Sequence, residues 1–419
     1  MKQLYFIITF FLYSDILCAQ QTILWAQDGH PDGLQVNSVA FSPDGTRILS
    51  GTNCHPAKLR LFDAVDGNLV WDYTLAPSFE CMMSVGMSAN NQYIATAEET
   101  GKLMLFDYTQ NPPTLASVLD LGTTYAFSVD FSPNSEKVAI GASNGKLRTY
   151  SLPSGTPDLN INAHPGSWVM SVDYSSDNSS IVTGGSDNKI KIFDTTSGAV
   201  LSTLTGHTND VVTVKFTPDN QRIVSGSLDK TIKVWEVSTG TLLHTFDAST
   251  DVVNALDISP DGAFIVAVAN DELVTIWNLN NYSEVTSFPL TPNGSALSVS
   301  WSPVASQIVC GTVGSKVVLI DISESVSGVK TSDYEGRLQI SPSPFSTLLS
   351  VSFPDKDIAT IQLFDHLGTL ITEAENLKSQ ELFTFHNIKN LPAGTYMVRL
   401  ITSDNRVVIR QVVKSSIQK

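Results

Sequence analysis

The stretch GSLDKTIKVWEVSTG, Gly226–Gly240, decides the fold. Its middle alternates polar and apolar residues at the period of two of a half-buried strand, closes on the aromatic Trp235, and ends at a glycine-bearing turn. One such strand has too little apolar surface to stand alone. What matters is how often the pattern recurs and at what spacing.

It recurs seven times. The segments VAFSPDGTRILSG, VGMSANNQYIATA, VDFSPNSEKVAIG, VDYSSDNSSIVTG, VKFTPDNQRIVSG, LDISPDGAFIVAV and VSWSPVASQIVCG share one grammar. An alternating strand, often ending in Ser-Pro-Asp, leads to a strand of small residues and then to one closing on an aromatic. Equivalent positions are Phe41, Met87, Phe131, Tyr174, Phe216, Ile258 and Trp301, at intervals of 46, 44, 43, 42, 42 and 43 residues. Repeats of about 40–45 residues with four short strands each are the mark of β-propeller blades. The predicted fold class is therefore all-β, with a seven-bladed propeller at residues 20–325. The last repeat ends at KVVLIDIS, Lys316–Ser323, without a clear fourth strand, whereas TILWAQ, Thr22–Gln27, precedes the first repeat and has that pattern. It is predicted to complete the last blade and leave no open edge.

Particular residues make the chain resemble the WD-repeat family. The fifth blade carries Gly206-His207, then Ser225, Asp229 and Trp235. The resemblance implies a hydrogen-bonded chain of these four side chains tying the strands of a blade together. The fourth blade has His164, Thr183 and Asp187 in the same places, with Phe193 where the tryptophan would be. The remaining blades lack most of the set, and apolar packing alone is expected to hold them.

At both ends the chain departs from a plain propeller. Residues 1–19, with Lys2 and an apolar run from Leu4 to Tyr13, read as a signal peptide. Two alternatives are a lipoprotein beginning at Cys18 and a retained N-terminal strand. No later segment has enough consecutive apolar residues to span a membrane. The net charge of −16 disfavours nucleic acid, which needs a basic surface, and disfavours anionic membranes. That charge is uneven: Tyr334 to Lys419 holds 9 basic and 8 acidic residues, so everything before it carries about −17. After a linker at 326–336 the repeat grammar stops, and short alternating strands at 337–419 predict a small antiparallel β-sandwich.

This last segment resembles the C-terminal sorting domain of the type IX secretion system of Gram-negative bacteria. Three pieces carry the match. SPSPF brings Pro342, Pro344 and Phe345, IQLFDHLGTLI brings Gly368, and LPAGTYMVRL brings Gly394 and Tyr396, ahead of a terminal VVK. The resemblance implies export across both membranes, with the type IX translocon as a partner of this domain and the cell surface or exterior as destination. An accessory sandwich domain that stays attached is the alternative.

Signs of catalysis are scarce. The chain has no G-x-S-x-G, H-E-x-x-H, P-loop or C-x-x-C. No cofactor or metal is expected. His30, His164 and His207 recur at blade-equivalent, structural positions, and His55 beside Cys54 lacks further ligands. Asp44, Asp66 and Asp261 sit where turn chemistry accounts for them without calcium. Binding is the stronger expectation. Four residues before the Val or Leu of each first strand lie Gln35, Cys81, Tyr125, Trp168, Asp210, Val252 and Ser295, on the rim where WD-repeat proteins usually take partners. Gln35, Tyr125, Trp168 and Asp210 are the candidate contacts. Tyr and Trp are enriched at binding hot spots and also stack on sugars, so a protein or a glycan is the expected ligand.

Competing readings are a hydrolase or lyase built at the central channel, which convergent carboxylates at its mouth would favour, and a structural surface-coat component. A flat rim bearing Tyr125 and Trp168 without such a cluster would favour binding. Cys54 and Cys81 fall on one face, either as a disulfide or as two free thiols, while Cys310 lies in an apolar strand.

Overall fold

Seven four-stranded antiparallel sheets form the repeat region, six of them each built from consecutive strands of one repeat. The computed structural model describes residues 21–326 apart from 30–32, 54–56, 76–80, 123–124, 248–250 and 291. Of the C-terminal segment it describes 339–341, 349–352, 358–364, 370–375, 382–385, 388, 391, 394–402 and 407–414.

The innermost strands of the blades are Val36–Phe41, Met82–Met87, Ala126–Phe131, Val169–Tyr174, Val211–Phe216, Val253–Ile258 and Ala296–Trp301. Each adjoins the next, and the last adjoins the first, so the sheets form a closed ring. Closure comes from the strand Thr22–Asp28, which pairs antiparallel with Lys316–Asp321 and is the outer strand of the seventh sheet. The last blade is thus made from both ends of the repeat region. Its first described residue, Gln21, also donates to Thr286 Oγ1 (3.2 Å) and to Ser325 Oγ (2.6 Å), in a helical turn Ser323–Val326.

Apolar packing between blades forms the core. Val36, Val39, Ile48 and Phe62 of the first blade meet Val309, Val317 and Leu319 of the seventh, for example. Apolar packing is not the only tie between blades. Serines on the innermost strands reach across the seams: Ser38, Ser84, Ser128 and Ser171 accept the N–H of Val85, Val129, Val172 and Val214 at 3.1–3.3 Å. A short hydroxyl at this position satisfies a backbone donor that the next blade cannot pair within its own sheet.

The Ser-Pro-Asp turns also have a local cause. Asp44 Oδ1 accepts from Ser42 Oγ (2.6 Å), Thr46 N (2.9 Å) and Thr46 Oγ1 (2.8 Å), and Asp261 Oδ1 accepts from Ser259 Oγ (2.6 Å) and Ala263 N (2.9 Å). These oxygens are occupied by turn chemistry. In the next turn of the first blade, Asp66 Oδ1 likewise accepts from Asn68 N (2.9 Å).

The C-terminal residues form two further sheets, of three and four strands. Leu349, Val351 and Phe385 from one join Ile361, Leu363, Tyr396 and Val398 from the other in a single buried cluster. Gly394 opens the strand Gly394–Thr402 opposite Lys414, and Tyr396 is buried. Pro342, Pro344, Phe345 and Gly368 lie outside the described residues, as do residues 1–19.

Candidate functional site: the rim and the channel

Every innermost strand has an irregularity after its first residue, at Asn37, Met83, Phe127, Met170, Val212, Asn254 and Leu297. A bulge re-aims the residue it holds. The seven rim positions immediately before these strands are equivalent in three dimensions as well as in sequence. The carbonyls of Gln35, Cys81, Tyr125, Trp168, Asp210, Val252 and Ser295 each accept one N–H, from Asn53, Glu99, Ser143, Ser186, Leu228, Asn270 and Val313, at 2.8–3.2 Å. The backbone of the rim repeats, and only its side chains differ.

At two of these positions the side chains are large and exposed: Tyr125 at 36% and Trp168 at 45%. Between them stands a ring that sequence reasoning missed. Phe127, at the bulge, stacks on Tyr125 (centroids 5.8 Å, 11° between planes) and on Trp168 (5.3 Å, 29°). Three rings therefore form one stack that crosses the seam between the third and fourth blades. Both faces of Phe127 are covered, and one face each of Tyr125 and Trp168. What the stack offers is two end faces, the ring edges, the phenol O–H and the indole N–H, rather than a flat row of open faces. The neighbouring bulge residues Met83, Met170 and Val212 are half-buried, which continues the apolar character along the innermost strands of the second to fifth blades. Asn37 and Asn254, on the other side, donate their amides to the carbonyls of Met82 (3.0 Å) and Ala296 (2.9 Å) of the next blade.

The other rim candidates are polar. Gln35 is exposed, and its Oε1 accepts from Asn53 Nδ2 at 3.4 Å. Asp210 is half-buried, which raises its carboxyl above the usual range. Cys81 is disulfide-bonded, which overturns the reading of it as a free thiol. Cys54 lies outside the described residues. Cys310 is free and buried, and burial pushes its thiol up to about 12.

The structural hydrogen-bond set assembles in the fifth blade. Trp235 Nε1–H donates to Ser225 Oγ at 2.9 Å, Ser225 lies 2.8 Å from His207 Nε2, and His207 Nδ1 lies 2.8 Å from Asp229 Oδ2. Burial pushes His207 down, so its ring is neutral. Burial also pushes Asp229 up, but hydrogen bonds from Thr231, the Thr208 N–H and His207 outweigh it and hold the carboxyl at about 2. The proton order follows: indole to hydroxyl, hydroxyl to Nε2, Nδ1–H to carboxylate. In the fourth blade His164 makes the same contacts with Asp187 (2.7 Å) and Thr183 (2.8 Å), and Phe193 ends the chain without a donor. Gly185 leaves the room this needs, because any Cβ there would meet the His164 ring.

The innermost strands also converge on charges. The residue before the closing aromatic or aliphatic is Ala40, Gly86, Asp130, Asp173, Lys215, Asp257 and Ser300 in turn. Asp130, Asp173 and Asp257 accept the N–H of Tyr174 (2.8 Å), Phe216 (2.8 Å) and Trp301 (2.7 Å) in the following blade. Lys215 cannot accept, and its Nζ reaches back to Asp173 Oδ1 at 2.7 Å. Protein surrounds the group, yet 34% of the Lys215 side chain and 10% of that of Asp173 remain exposed. Burial raises all three carboxyls, with Lys215 pulling each down. For Asp130, burial and then the like charge of Asp173 push it up to about 7. Lys215 is driven above its ordinary value because Asp173, Asp130 and Asp257 outweigh its burial. Among the described residues no group of three or more His, Cys, Asp or Glu side chains has the arrangement to hold a metal ion.

The family follows from a comparison with family models. The chain matches the model described as IFT122 first beta-propeller over residues 168–410. It belongs to this family of WD-repeat propellers. A second match, described as WD domain, G-beta repeat, covers residues 21–63, the closing strand and most of the first blade. No curated protein matched the chain. The two matches lie at opposite ends of the repeat region in sequence and meet in the seventh blade, and the longer one runs on into the C-terminal strands. No helix among the described residues is long and apolar enough to cross a membrane.

Proposed function

We propose that the chain is an exported, non-catalytic propeller that binds a protein partner at the rim of its third and fourth blades. The observation that carries this reading is the Tyr125–Phe127–Trp168 stack. Three aromatic rings, two of them well exposed, stand together where the rest of the rim is small or polar. Aromatic anchors of this kind dominate binding energy at protein interfaces. Since the rings cover each other's faces, the stack suits an apolar side chain lodged against its ends and edges better than a chain of sugars lying flat. That favours a protein over a glycan.

The channel does gather three carboxylates, the feature that would favour an enzyme, but what they are bonded to supports a non-catalytic role. Its carboxylates each commit an oxygen to a backbone N–H of the next blade, and they lie about 10 Å along the strands from the bulge residues. They act as latches between blades.

Export is supported by three features: the apolar leader at residues 1–19, the likeness of 337–419 to a type IX sorting domain folded as a small β-sandwich, and the disulfide at Cys81, a bond that persists in oxidising compartments. In this reading the sorting domain engages the translocon and the propeller is its cargo at the cell surface or beyond it.

One experiment tests the binding reading. The exported chain and a Tyr125→Ala/Trp168→Ala version, both confirmed folded, are used to capture partners from surface extracts and from a glycan panel. A protein retained by the first and lost by the second supports the proposal. Equal capture by both, or glycan binding alone, counts against it. Self-association in place of capture would return the surface-coat reading. Export is tested separately, by locating the chain with and without residues 337–419.

A further inference from the structure

The seam between the third and fourth blades is sewn at three levels by residues of two short strands. Nearest the rim, Phe127 stacks on Trp168. One residue further on, Ser128 Oγ accepts the Val172 N–H at 3.1 Å. Towards the far end, Asp130 Oδ2 accepts the Tyr174 N–H at 2.8 Å. The third level carries a conflict the other two lack. The equivalent residue of the fourth blade is Asp173, a like charge, and the one ammonium of the cluster, Lys215 Nζ, is committed to Asp173 at 2.7 Å. Among the described residues Asp130 makes no ion pair.

We infer that this seam is a proton-responsive device: uptake of a proton by Asp130 tightens the junction that holds Phe127 against Trp168, and so strengthens docking at the aromatic stack.

The groups that face Asp130 can be counted blade by blade. The fourth contributes Asp173 and the Tyr174 phenol and the fifth Lys215, while Asp257 of the sixth acts on Lys215 and Asp173. The first, second and seventh contribute Ala40, Gly86 and Ser300, none of them charged. Three carboxylates around one ammonium leave an excess of negative charge when all are ionised. Like charges sharing a partly desolvated site do not ionise independently, and one of them retains its proton well above the ordinary range. Neither Asp130 nor Asp257 has an ion pair among the described residues, and at Asp130 burial and then the adjacent like charge of Asp173 outweigh the pull of Lys215 and place it at about 7.

The sign follows from linkage. An unfolded aspartate loses its proton near 3.9. Between about 4 and 7 the folded ring therefore holds a proton that the unfolded chain has released, and its stability falls as pH rises through that window. Above it, the repulsion across the seam is fully present. Because Asp130 and Phe127 are three residues apart on one six-residue strand, and Asp173 and Trp168 five apart across the same seam, spreading at one end is carried to the stack at the other.

The inference rests on the rim reading for its consequence, but its test needs no ligand. Tryptophan fluorescence of the full exported chain is followed from about pH 5 to 9. The expected result is a transition with its midpoint near 7, absent in Trp168→Phe because Trp168 is the reporter. In Asp130→Asn, which keeps an acceptor for the Tyr174 N–H, the low-pH signal should persist throughout. Should that variant fail to fold, Asp173→Asn serves instead: it removes the like charge, frees Lys215, and should move the midpoint well below neutral. A transition that survives in Asp130→Asn, a midpoint unmoved in Asp173→Asn, or no transition in the wild-type chain overturns the inference. A clean titration with no captured partner would leave the seam standing and remove only the docking proposal.

Discussion

Phe127 and Trp168 belong to different blades, yet their rings stack with centroids 5.3 Å apart and 29° between planes. The pair exists only because consecutive blades pack side by side, since the third blade supplies one ring and the fourth supplies the other. Phe127 also supports Tyr125 on its other side.

Truncating the middle ring should therefore do more than remove its own surface. Phe127→Ala leaves Tyr125 and Trp168 without a common support and is expected to weaken partner binding at least as much as Trp168→Ala. The expected loss is about 2 kcal/mol, or roughly 30-fold in Kd. Titration of the captured partner against both variants checks it. A Phe127→Ala chain that binds like wild type would reduce Phe127 to filling.

Ser225 holds two neighbours at once, the Trp235 indole N–H and His207 Nε2, and it is fully buried. Thr183, its counterpart in the fourth blade, meets His164 but no indole, because Phe193 has no donor. Each buried polar group left without its partner costs about 1–3 kcal/mol. Ser225→Ala should then lower the urea midpoint more than Thr183→Val, which removes the threonine hydroxyl but keeps its methyl. Equal losses would mean that the tryptophan gains nothing from the serine.

Asp229 gives a pH signature of opposite sign to that of Asp130. Its folded carboxyl, at about 2, lies below the unfolded value of about 3.9. The stability it contributes is fully present above the unfolded value and is lost as pH falls through that value towards 2. Asp229→Asn should thus be destabilised at pH 7 and converge on wild type near pH 2. Denaturant unfolding of the pair across acid pH measures this directly. A gap that persists at pH 2 would point to a cause other than ionisation.

Removing residues 21–28 should open the ring. The strand Lys316–Asp321 would lose its pairing along Thr22–Asp28, and the first blade would lose the Trp25 ring against Phe62 with its Nε1–H to Ala64 O (3.2 Å). An exposed flat edge pairs with other chains. The truncated chain is expected to unfold at lower denaturant and to self-associate, as read by light scattering after size exclusion. A truncated chain that stays monomeric and as stable as wild type would show that the seventh blade does not need its fourth strand.

Much of this was legible in the sequence. The 42–46-residue period gave seven blades, the orphan strand at Thr22 gave the closure, and His207, Ser225, Asp229 and Trp235 stood out at their spacing. These features are local or periodic. Strand alternation, turn chemistry and the recurrence of one module leave their mark in consecutive residues, because each blade must satisfy its own hydrogen bonds and bury its own faces. Tyr125 and Trp168 could be placed on the rim for the same reason. Only the tertiary structure decided what stands between them and what gathers in the channel. Phe127 reads as an ordinary strand residue until the bulge turns it to the rim. Asp130, Asp173, Lys215 and Asp257 are 42–43 residues apart along the chain and meet only when the innermost strands close around one axis. A repeat fixes its own contents, whereas the contacts between repeats depend on the curvature of the whole ring. That curvature is why the seam, and with it the candidate site, became visible only in three dimensions.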